Sequence, residues 1–219
     1  MKRALFGLAI ILFIGVGGFV VVNAMNQGKS AAEQSKFTRE FIDEKSKTED
    51  GFYKFTSKID QYTMLFPEKF HINNSPSSYE VHKNYMELWN ATTDKSVSKD
   101  YVNTLQILYY NDEKINDEKA KETLRDVAYN QQIIKKEFSD KLIYTAATNT
   151  DFEINEKRKD PQKNGPNMIA AFIIDKNSNR TIKIDYSTVC FEGKKCSYDY
   201  SDQMNFVEKL AQSIKFSQK

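Results

Sequence analysis

The sequence predicts an α+β fold, in which an antiparallel β-sheet is packed by helices and preceded by one N-terminal transmembrane helix. Three observations predict it. A long uncharged apolar run lies near the N-terminus, several short segments alternate apolar and polar residues, and two segments repeat apolar residues at helical spacing. A period of two residues is typical of half-buried strands, whereas a spacing of three and four residues is typical of one helix face.

The apolar run extends from Ala4 to Val22 and follows a Lys-Arg pair. About 19 helical residues at about 1.5 Å per residue nearly match the roughly 30 Å hydrocarbon core of a bilayer. Because basic residues stay on the cytoplasmic side, the C-terminal bulk of the chain is expected to be extracytoplasmic. We therefore predict a single-pass transmembrane anchor, or uncleaved signal, over residues 1–25. Cleavage after Ala24 would instead give a secreted protein.

Residues 26–50 are polar and charge-rich, and we interpret them as a stalk. Residues 51–219 are long enough for one extracytoplasmic α+β domain with a sizeable core. The net charge of the chain is +2. Lys2 and Arg3, which precede the apolar run, account for both positive charges, so the exported part is formally neutral. Nucleic acid is not an expected partner, because phosphate binding needs concentrated Lys and Arg. The expected partners are the membrane, through the N-terminal helix, and an envelope protein or polymer.

The first half of the domain is predicted to consist of strands. Tyr62, Met64 and Phe66 occupy alternate positions before a proline, which predicts a half-buried strand that ends there. A second strand-like stretch covers residues 79–89. Residues 101–110 combine β-branched and aromatic residues over the length of a further strand.

A helix is predicted next, with Asn116 or Asp117 as its N-cap and acidic residues in its first turn. Two short strands, 141–147 and 150–156, are expected after it. The positions predicted to share one face of this helix are Ala120, Leu124, Val127, Gln131, Ile134 and Phe138.

The last third of the chain contains a predicted hairpin and a predicted helix. Residues 168–174 and 181–189 flank the polar segment 175–180, whose composition is typical of a hairpin turn. The final helix is expected to be capped near Ser201 or Asp202. Its predicted buried stripe consists of Phe206, Val207, Leu210, Ala211 and Ile214.

Cys190 and Cys196 are the two cysteines, and they bracket five residues that include Gly193. In an exported domain this spacing favours a local disulfide, for which Gly193 supplies turn freedom. A zinc site would need further ligands, and a redox dithiol would normally have two intervening residues. No cysteine lies near the end of the apolar run, where a lipid would be attached, so a lipid-modified anchor is not expected.

The sequence contains no recognisable catalytic, cofactor or metal motif, so no cofactor is expected. His71 and His82 are the two histidines, and neither has an evident partner group for acid–base work. Asp175, Asn177 and Asn179 match the start of a calcium loop in spacing. The residues that follow lack the required glycine and the bidentate glutamate, so a plain turn is favoured.

Aromatic residues are numerous and clustered, and most are expected in the core. Tyr109 and Tyr110 are adjacent, so their side chains must point to opposite faces of a strand. Exposed aromatic side chains commonly mark interaction surfaces. The candidate interaction residues are Tyr109, Tyr110, Tyr198 and Tyr200.

Two short patches resemble the opening and closing signatures of PsbP-like domains. They are residues 51–53 leading into residues 61–67, and the end of the last helix at residues 213–216. This resemblance implies helices packed on a central antiparallel sheet, in anchored or secreted bacterial proteins. It also implies a noncatalytic scaffold or assembly role, with no catalytic residue to carry over.

These observations favour a noncatalytic, membrane-anchored binding or assembly module of the bacterial cell envelope. The alternative is a small-ligand sensor or carrier that uses an aromatic pocket. An envelope hydrolase that depends on His71 or His82 is the third hypothesis. The anchor, the stalk and the lack of reactive groups motivate the first hypothesis, whereas the clustered aromatic residues motivate the second.

Overall fold

The computed structural model describes residues 28–94, 97–112, 114–150, 158–194 and 196–218. The chain divides into two compact units, Met1–Ser30 and Ala31–Lys219, and the elements given below belong to the second. The predicted transmembrane segment 1–25 and the cleavage position after Ala24 lie outside the described residues.

Within the described residues there are four α-helices and thirteen β-strands. The helices are α1 (Ala31–Gln34), α2 (Asp117–Leu124), α3 (Pro161–Asn164) and α4 (Tyr200–Ser213), and single 3-10 turns lie at Thr38–Glu40, Glu44–Ser46 and Tyr129–Gln131. The strands are β1 (Ile42–Asp43), β2 (Phe52–Thr56), β3 (Tyr62–Pro67), β4 (Phe70–Ile72), β5 (Tyr79–His82), β6 (Met86–Thr93), β7 (Tyr101–Asn111), β8 (Ile134–Glu137), β9 (Lys141–Thr150), β10 (Arg158–Lys159), β11 (Met168–Asp175), β12 (Arg180–Cys190) and β13 (Lys215–Phe216).

The described strands form two antiparallel sheets. The smaller sheet has four strands in the order β1-β2-β3-β13. The larger has nine, in the order β10-β9-β11-β12-β7-β6-β4, and in it β5 also pairs with β6 and β8 with β9. Long antiparallel ladders join β6, β7, β12, β11 and β9, so these five strands are the framework of the domain.

The main core lies between the two sheets and α4. Trp89 and Ile107 of the large sheet point inward, and both are fully buried. From the small sheet, Phe55 lies 5.0 Å from the Trp89 ring and Phe66 lies 5.8 Å from it, measured between centroids. The rings pack directly on one another, which gives the domain a core rich in aromatic contacts.

Residues 31–50, for which a stalk is expected, contribute to the second compact unit. The hydroxyl oxygen of Thr38 accepts a hydrogen bond from the backbone N–H of Ile72 at 2.8 Å. Phe41 is buried and stacks on Phe55 with 5.6 Å between ring centroids. This segment is therefore packed on the sheets.

The last strand, β13, closes the small sheet by pairing with β3. The end of α4 is held by Lys141, whose buried ammonium donates to the carbonyl oxygens of Gln212, at 3.0 Å, and Ile214. Cationic donors are favourable at a helix C-terminus, where carbonyl groups lack partners. Arg180 of the large sheet donates to the carbonyl oxygen of Ser217. The C-terminal segment is therefore tied to both sheets.

The predicted fold class is wrong in two respects. The protein is mostly antiparallel β-sheet, and among the described helices only α2 and α4 are longer than about one turn. A spanning helix needs about 20 apolar residues. The longest described helix, α4, has 14 residues, and no helix in the described part of the chain is long and apolar enough to cross a membrane.

The helix after Asn116 is shorter than predicted. Its cap is confirmed, because the Asn116 side chain accepts a hydrogen bond from the backbone N–H of Lys119 at 2.9 Å. Helix α2 nevertheless ends after eight residues. Asn130 and Gln131 adopt φ of 48° and 59°, which no right-handed helix can contain. Ile134–Glu137 then form β8 against β9, so tertiary pairing prevails over the helical spacing.

Most other elements agree with the sequence. The predicted strands at β3, β7, β11 and β12 are confirmed to within one residue at each end. Helix α4 is confirmed, although its N-cap is Asp199, whose carboxylate accepts from the backbone N–H of Asp202 at 2.9 Å. Residues 141–150 form one continuous strand instead of two short ones. Residues 151–157 lie outside the described residues.

Candidate functional site

The two cysteines are joined in a disulfide between Cys190 and Cys196. The bond closes a loop at the end of β12. The loop lies beside the start of β7, because the backbone N–H of Phe191 donates to the carbonyl oxygen of Asp100 at 2.8 Å. Lys194 also pairs with the Asp100 carboxylate at 2.9 Å. The disulfide therefore holds a rim loop against the large sheet.

The four candidate tyrosines do not form one surface. Tyr109 is fully buried and stacks on Tyr62 with 5.5 Å between ring centroids, so it belongs to the core. Tyr110 points to the opposite face and is 40% exposed. Tyr198 and Tyr200 are partly buried at the start of α4. Of the adjacent pair, only Tyr110 is available to a partner.

The two histidines are also kept apart. His71 lies on β4 with Nδ1 3.7 Å from the Asp94 carboxylate, and His82 lies on β5 with Nε2 2.5 Å from the Glu80 carboxylate. β4 and β5 pair with opposite ends of β6, so the two imidazoles do not share a site.

The turn between β11 and β12 uses its acidic residue internally. The Asp175 carboxylate accepts hydrogen bonds from the Ser178 hydroxyl at 2.6 Å, from the backbone N–H of Asn177 at 3.0 Å and from the Arg180 guanidinium at 2.6 Å. Burial alone would raise the pKa of Asp175, but these donors outweigh it and lower that pKa. The segment is a hydrogen-bonded turn, as predicted, with its carboxylate committed to these donors.

A cavity of about 740 Å³ lies beside this turn and the C-terminal segment. Three of its charged side chains have partners within the fold. Asp175 pairs with Arg180, and Lys141 binds the end of α4. Because these groups hold the C-terminal strand in place, we assign the cavity a structural role.

One face of the large sheet remains partly uncovered. Helix α2 packs on β9 and β11, where it forms a second small core with Tyr144 and Phe172. The outward side chains of β12, β7 and β6 lie beyond that helix and are mostly half-buried. We call them the open face, defined as Leu88, Asn90, Thr104, Gln106, Leu108, Tyr110, Lys183, Asp185 and Ser187.

The polar residues of the open face bond to one another, both between neighbouring strands and along β12. The Gln106 side-chain amide donates to the side-chain oxygen Oδ1 of Asn90 at 2.8 Å. The hydroxyl groups of Thr104 and Ser187 lie 2.6 Å apart. Lys183 pairs with Asp185 at 2.9 Å. These contacts fix the side chains in place and neutralise the two charges, so this part of the face is preformed.

The apolar residues of the open face lie in neighbouring rows. Leu88 is directly opposite Leu108 in the ladder between β6 and β7, and Tyr110 is two residues further along β7. A cavity of about 390 Å³ continues from Leu108 and Tyr110 to Ile115 and Phe172 beside α2. A second cavity of about 610 Å³ covers the polar rows, and the two share Lys183. The open face is thus a shallow groove with an apolar end and a polar end.

Helix α2 is anchored firmly enough to act as the wall of this groove. The Tyr144 hydroxyl donates to the Asp117 carboxylate at 2.6 Å, and Lys135 pairs with the same carboxylate at 2.6 Å. The bonds from Lys135 and Tyr144 lower the pKa of Asp117. The first turn of α2 is therefore fixed to β8 and β9.

The model of a family described as "Putative lipoprotein YvcA" matches residues 29–215. The chain belongs to this family. The YvcA family is a bacterial envelope-type family, which confirms the bacterial envelope character expected from the sequence, but it is not the PsbP-like family specifically.

The YvcA match covers almost all of the second compact unit, from before α1 to the start of β13. No curated protein and no solved structure matches the chain. The family is named for a lipoprotein, whereas the two cysteines of this chain pair with each other.

Sequence reasoning identified Tyr110 but missed the other open-face residues of this YvcA family member. Leu88, Leu108 and Lys183 lie on three different strands and meet only through the ladder register. The alternation along β7 already separates Leu108 and Tyr110 from Ile107 and Tyr109. That signal could have shown which residues share a face, but not which face is left uncovered.

Proposed function

We propose that this YvcA family member is a noncatalytic binding or assembly module of the bacterial cell envelope. It lies outside the cytoplasm in association with the membrane and holds an envelope protein on its open face. The family description, which names a lipoprotein, supports this location. The disulfide between Cys190 and Cys196 also supports it, because disulfides persist in oxidising compartments.

The observation that carries the proposal is the apolar end of the open face. Leu108 and Tyr110 line a groove, Leu88 lies directly opposite Leu108 in the ladder, and polar side chains that are already hydrogen-bonded lie beside them. Aliphatic side chains next to a half-exposed tyrosine suit a protein segment with apolar side chains of its own. A sugar or phosphate polymer would leave the leucines without a matching group. An envelope protein is therefore favoured over a polymer.

The absence of catalysis is part of the proposal. His71 and His82 each lie near a single carboxylate, at opposite ends of β6. Acid–base or nucleophilic chemistry needs several groups held around one reacting atom. Across the described residues, no group of three or more His, Cys, Asp or Glu side chains is placed to hold a metal ion. The open face presents leucines, amides and hydroxyls, which suit binding.

A small-ligand sensor or carrier is the second candidate. The solid packing of Phe55, Phe66 and Trp89 opposes a pocket inside the core. A separate cleft with aromatic walls, at the start of α4, favours this function.

We propose that the likeness to PsbP-like domains is a likeness of architecture. The two patches that carry it are neighbours in space, because Phe216 pairs with Tyr62 and Lys215 with Thr63. Both patches therefore belong to the small sheet and the helix that leads into it. This supports a shared way of closing that sheet around the C-terminus.

The proposal is tested by photo-crosslinking from the open face in intact cells. A photoreactive phenylalanine analogue replaces Tyr110 in the full chain, and in a matched control it replaces Ile134, which is 43% exposed on β8. We expect a discrete protease-sensitive product from position 110 that is absent from position 134. Leu108→Glu should abolish this product, whereas Ile134→Glu should leave it unchanged.

The outcomes separate the alternatives. A product from position 110 that resists protease but yields to a cell-wall hydrolase would replace the protein partner with a polymer. A stable, folded protein that gives no product from position 110, or gives the same product from both positions, would rule out the open face as the binding surface. Thermal unfolding of each variant shows whether the protein remains folded.

A further inference from the structure

A second cleft, of about 550 Å³, lies where the first turns of α4 meet the ends of both sheets. It is on the inner side of the large sheet, because Tyr186 in its wall belongs to the main core. The open face is on the other side. We call this site the aromatic cleft; its ring-bearing walls are Phe52, Phe70, Tyr101, Tyr186 and Phe206.

The rings of the aromatic cleft are arranged around Phe206. Tyr186 lies 5.1 Å from it, Phe70 6.0 Å and Phe52 6.2 Å, measured between centroids, and the Phe70 and Phe206 rings are nearly parallel at 17°. Phe52, Phe70 and Tyr186 are buried, whereas Phe206 is only half-buried. Phe206 thus keeps part of its surface free within a fixed aromatic frame. A flat apolar group could stack there.

One polar atom in this wall lacks a partner. Gln203 Oε1 is buried and accepts no hydrogen bond from any described residue. Gln203 lines the aromatic cleft together with Tyr186 and Phe206. Because Oε1 makes no bond within the described residues, it can accept from a donor that enters the cleft. A buried acceptor without a donor is unfavourable, so a ligand that supplies one gains affinity.

Two ion pairs lie beside the aromatic cleft. Asp50 pairs with Lys209, and Glu68 pairs with Lys47 at 2.7 Å. The Lys209 ammonium also lies 4.6 Å from the centre of the Phe52 ring. A charged ligand would have to compete with these pairs. A neutral ligand would not.

We propose that the aromatic cleft binds a small neutral aromatic molecule with one N–H or O–H donor, of the indole or phenol kind. Its ring stacks on Phe206 and its donor bonds to Gln203 Oε1. This inference deepens the second candidate function and does not depend on the open face. A failure of either site therefore leaves the other to be judged by its own experiment.

The test compares two ligands that share the indole ring system, one with the N–H donor and one in which a methyl group replaces that hydrogen. Indole carries an N–H, and 1-methylindole does not. Binding to the full chain in detergent is measured by saturation-transfer difference NMR, with protein-free micelles as the blank. We expect indole to bind at least about fivefold more tightly than 1-methylindole, as the loss of one hydrogen bond predicts.

Variants assign the effect to the cleft. Gln203→Met removes the acceptor but keeps a side chain of similar length. It should reduce the affinity for indole to that for 1-methylindole. Gln212→Met, at an exposed position of the same helix, should leave the ratio unchanged. Phe206→Leu should weaken both ligands alike, because it removes the stacking surface.

Three results would overturn the proposal. The first is no saturable binding of either ligand, and the second is equal affinity of the two ligands for the unsubstituted protein. The third is an indole to 1-methylindole affinity ratio that is unchanged in Gln203→Met. The first two are read from the unsubstituted protein, so they hold even if a variant fails to fold.

Discussion

The indole nitrogen of Trp89 donates a hydrogen bond to the hydroxyl oxygen of Tyr62 at 2.9 Å. Trp89 belongs to β6 of the large sheet and Tyr62 to β3 of the small sheet, and both side chains are fully buried. The bond therefore joins the two sheets through the core.

Tyr62→Phe should lower the free energy of unfolding by about 1–3 kcal/mol, because it leaves the buried Trp89 donor without an acceptor. Trp89 is the only tryptophan, so its fluorescence during urea unfolding reports this site directly. Tyr110→Phe removes a hydroxyl from a tyrosine that is 40% exposed and serves as the control. Equal stability of Tyr62→Phe and the unsubstituted protein would show that the bond contributes nothing.

Glu87 should make stability depend on pH. Its side chain is buried, Oε1 accepts from the backbone N–H of Lys58 at 3.0 Å and from the Tyr79 hydroxyl at 3.2 Å, and Oε2 has no partner among the described residues. Burial raises the pKa of Glu87 above its usual value. The folded state thus holds the proton more tightly than the unfolded chain does. The stability that protonated Glu87 contributes to the folded protein is fully present below the ordinary glutamate pKa. It is lost as the pH rises through the raised pKa of Glu87 in the folded state.

The measurement compares the urea midpoint of the unsubstituted protein with that of Glu87→Gln from about pH 4, near the ordinary glutamate pKa, to about pH 8. The unsubstituted protein should lose stability relative to Glu87→Gln as the pH rises. Glu122→Gln, at an exposed position of α2, should show no such trend. If the difference in urea midpoint between the unsubstituted protein and Glu87→Gln stays constant over this pH range, the prediction is wrong.

Two glycines with similar positive φ should respond differently to alanine. Gly165 and Gly193 have φ of 67° and 74°. A Cβ at Gly165 would overlap the backbone oxygen of Tyr198, whereas a Cβ at Gly193 would meet nothing within 4 Å. Gly193→Ala should cost about 1 kcal/mol for its backbone angle alone, and Gly165→Ala about 2–4 kcal/mol once overpacking is added. Chemical denaturation of both variants checks the order, and equal costs would contradict it.

Much of the fold was predictable because its signals are local. The alternation of Tyr62, Met64 and Phe66 and the polar turn after Ile174 both depend on near neighbours in the sequence, and both elements formed as predicted. Ile134 shows the limit. Its spacing from Val127 suits a helix, but the ladder with β9 places it in a strand. That choice is made by a pairing that the segment itself does not encode.

The candidate site was less predictable than the fold. Ile107 and Leu108 are adjacent and equally apolar, yet Ile107 is fully buried and Leu108 is half-exposed. The difference arises because the small sheet covers one face of β7, while α2 reaches only β9 and β11 on the other. Alternation separates the two faces, but only the tertiary arrangement shows which one stays open.

Loss of the disulfide should weaken the protein without unfolding it. The bond between Cys190 and Cys196 closes a loop of only a few residues, so replacing both with Ser should cost about 2 kcal/mol. Urea unfolding of the double variant measures this cost, and circular dichroism should show unchanged strand content. Complete unfolding of the variant at room temperature would show that the loop supports far more of the fold than its length suggests.

The ties between β3 and the C-terminus also constrain the order of folding. The backbone N–H of Leu65 bonds to the Ser213 hydroxyl, 148 positions later in the chain, and β13 pairs beside it. Such distant contacts cannot form while the chain is still being synthesised or threaded across a membrane. The small sheet begins at Ile42, but its β3 edge must wait for the final residues. The part of the domain that emerges first is therefore among the last to be completed.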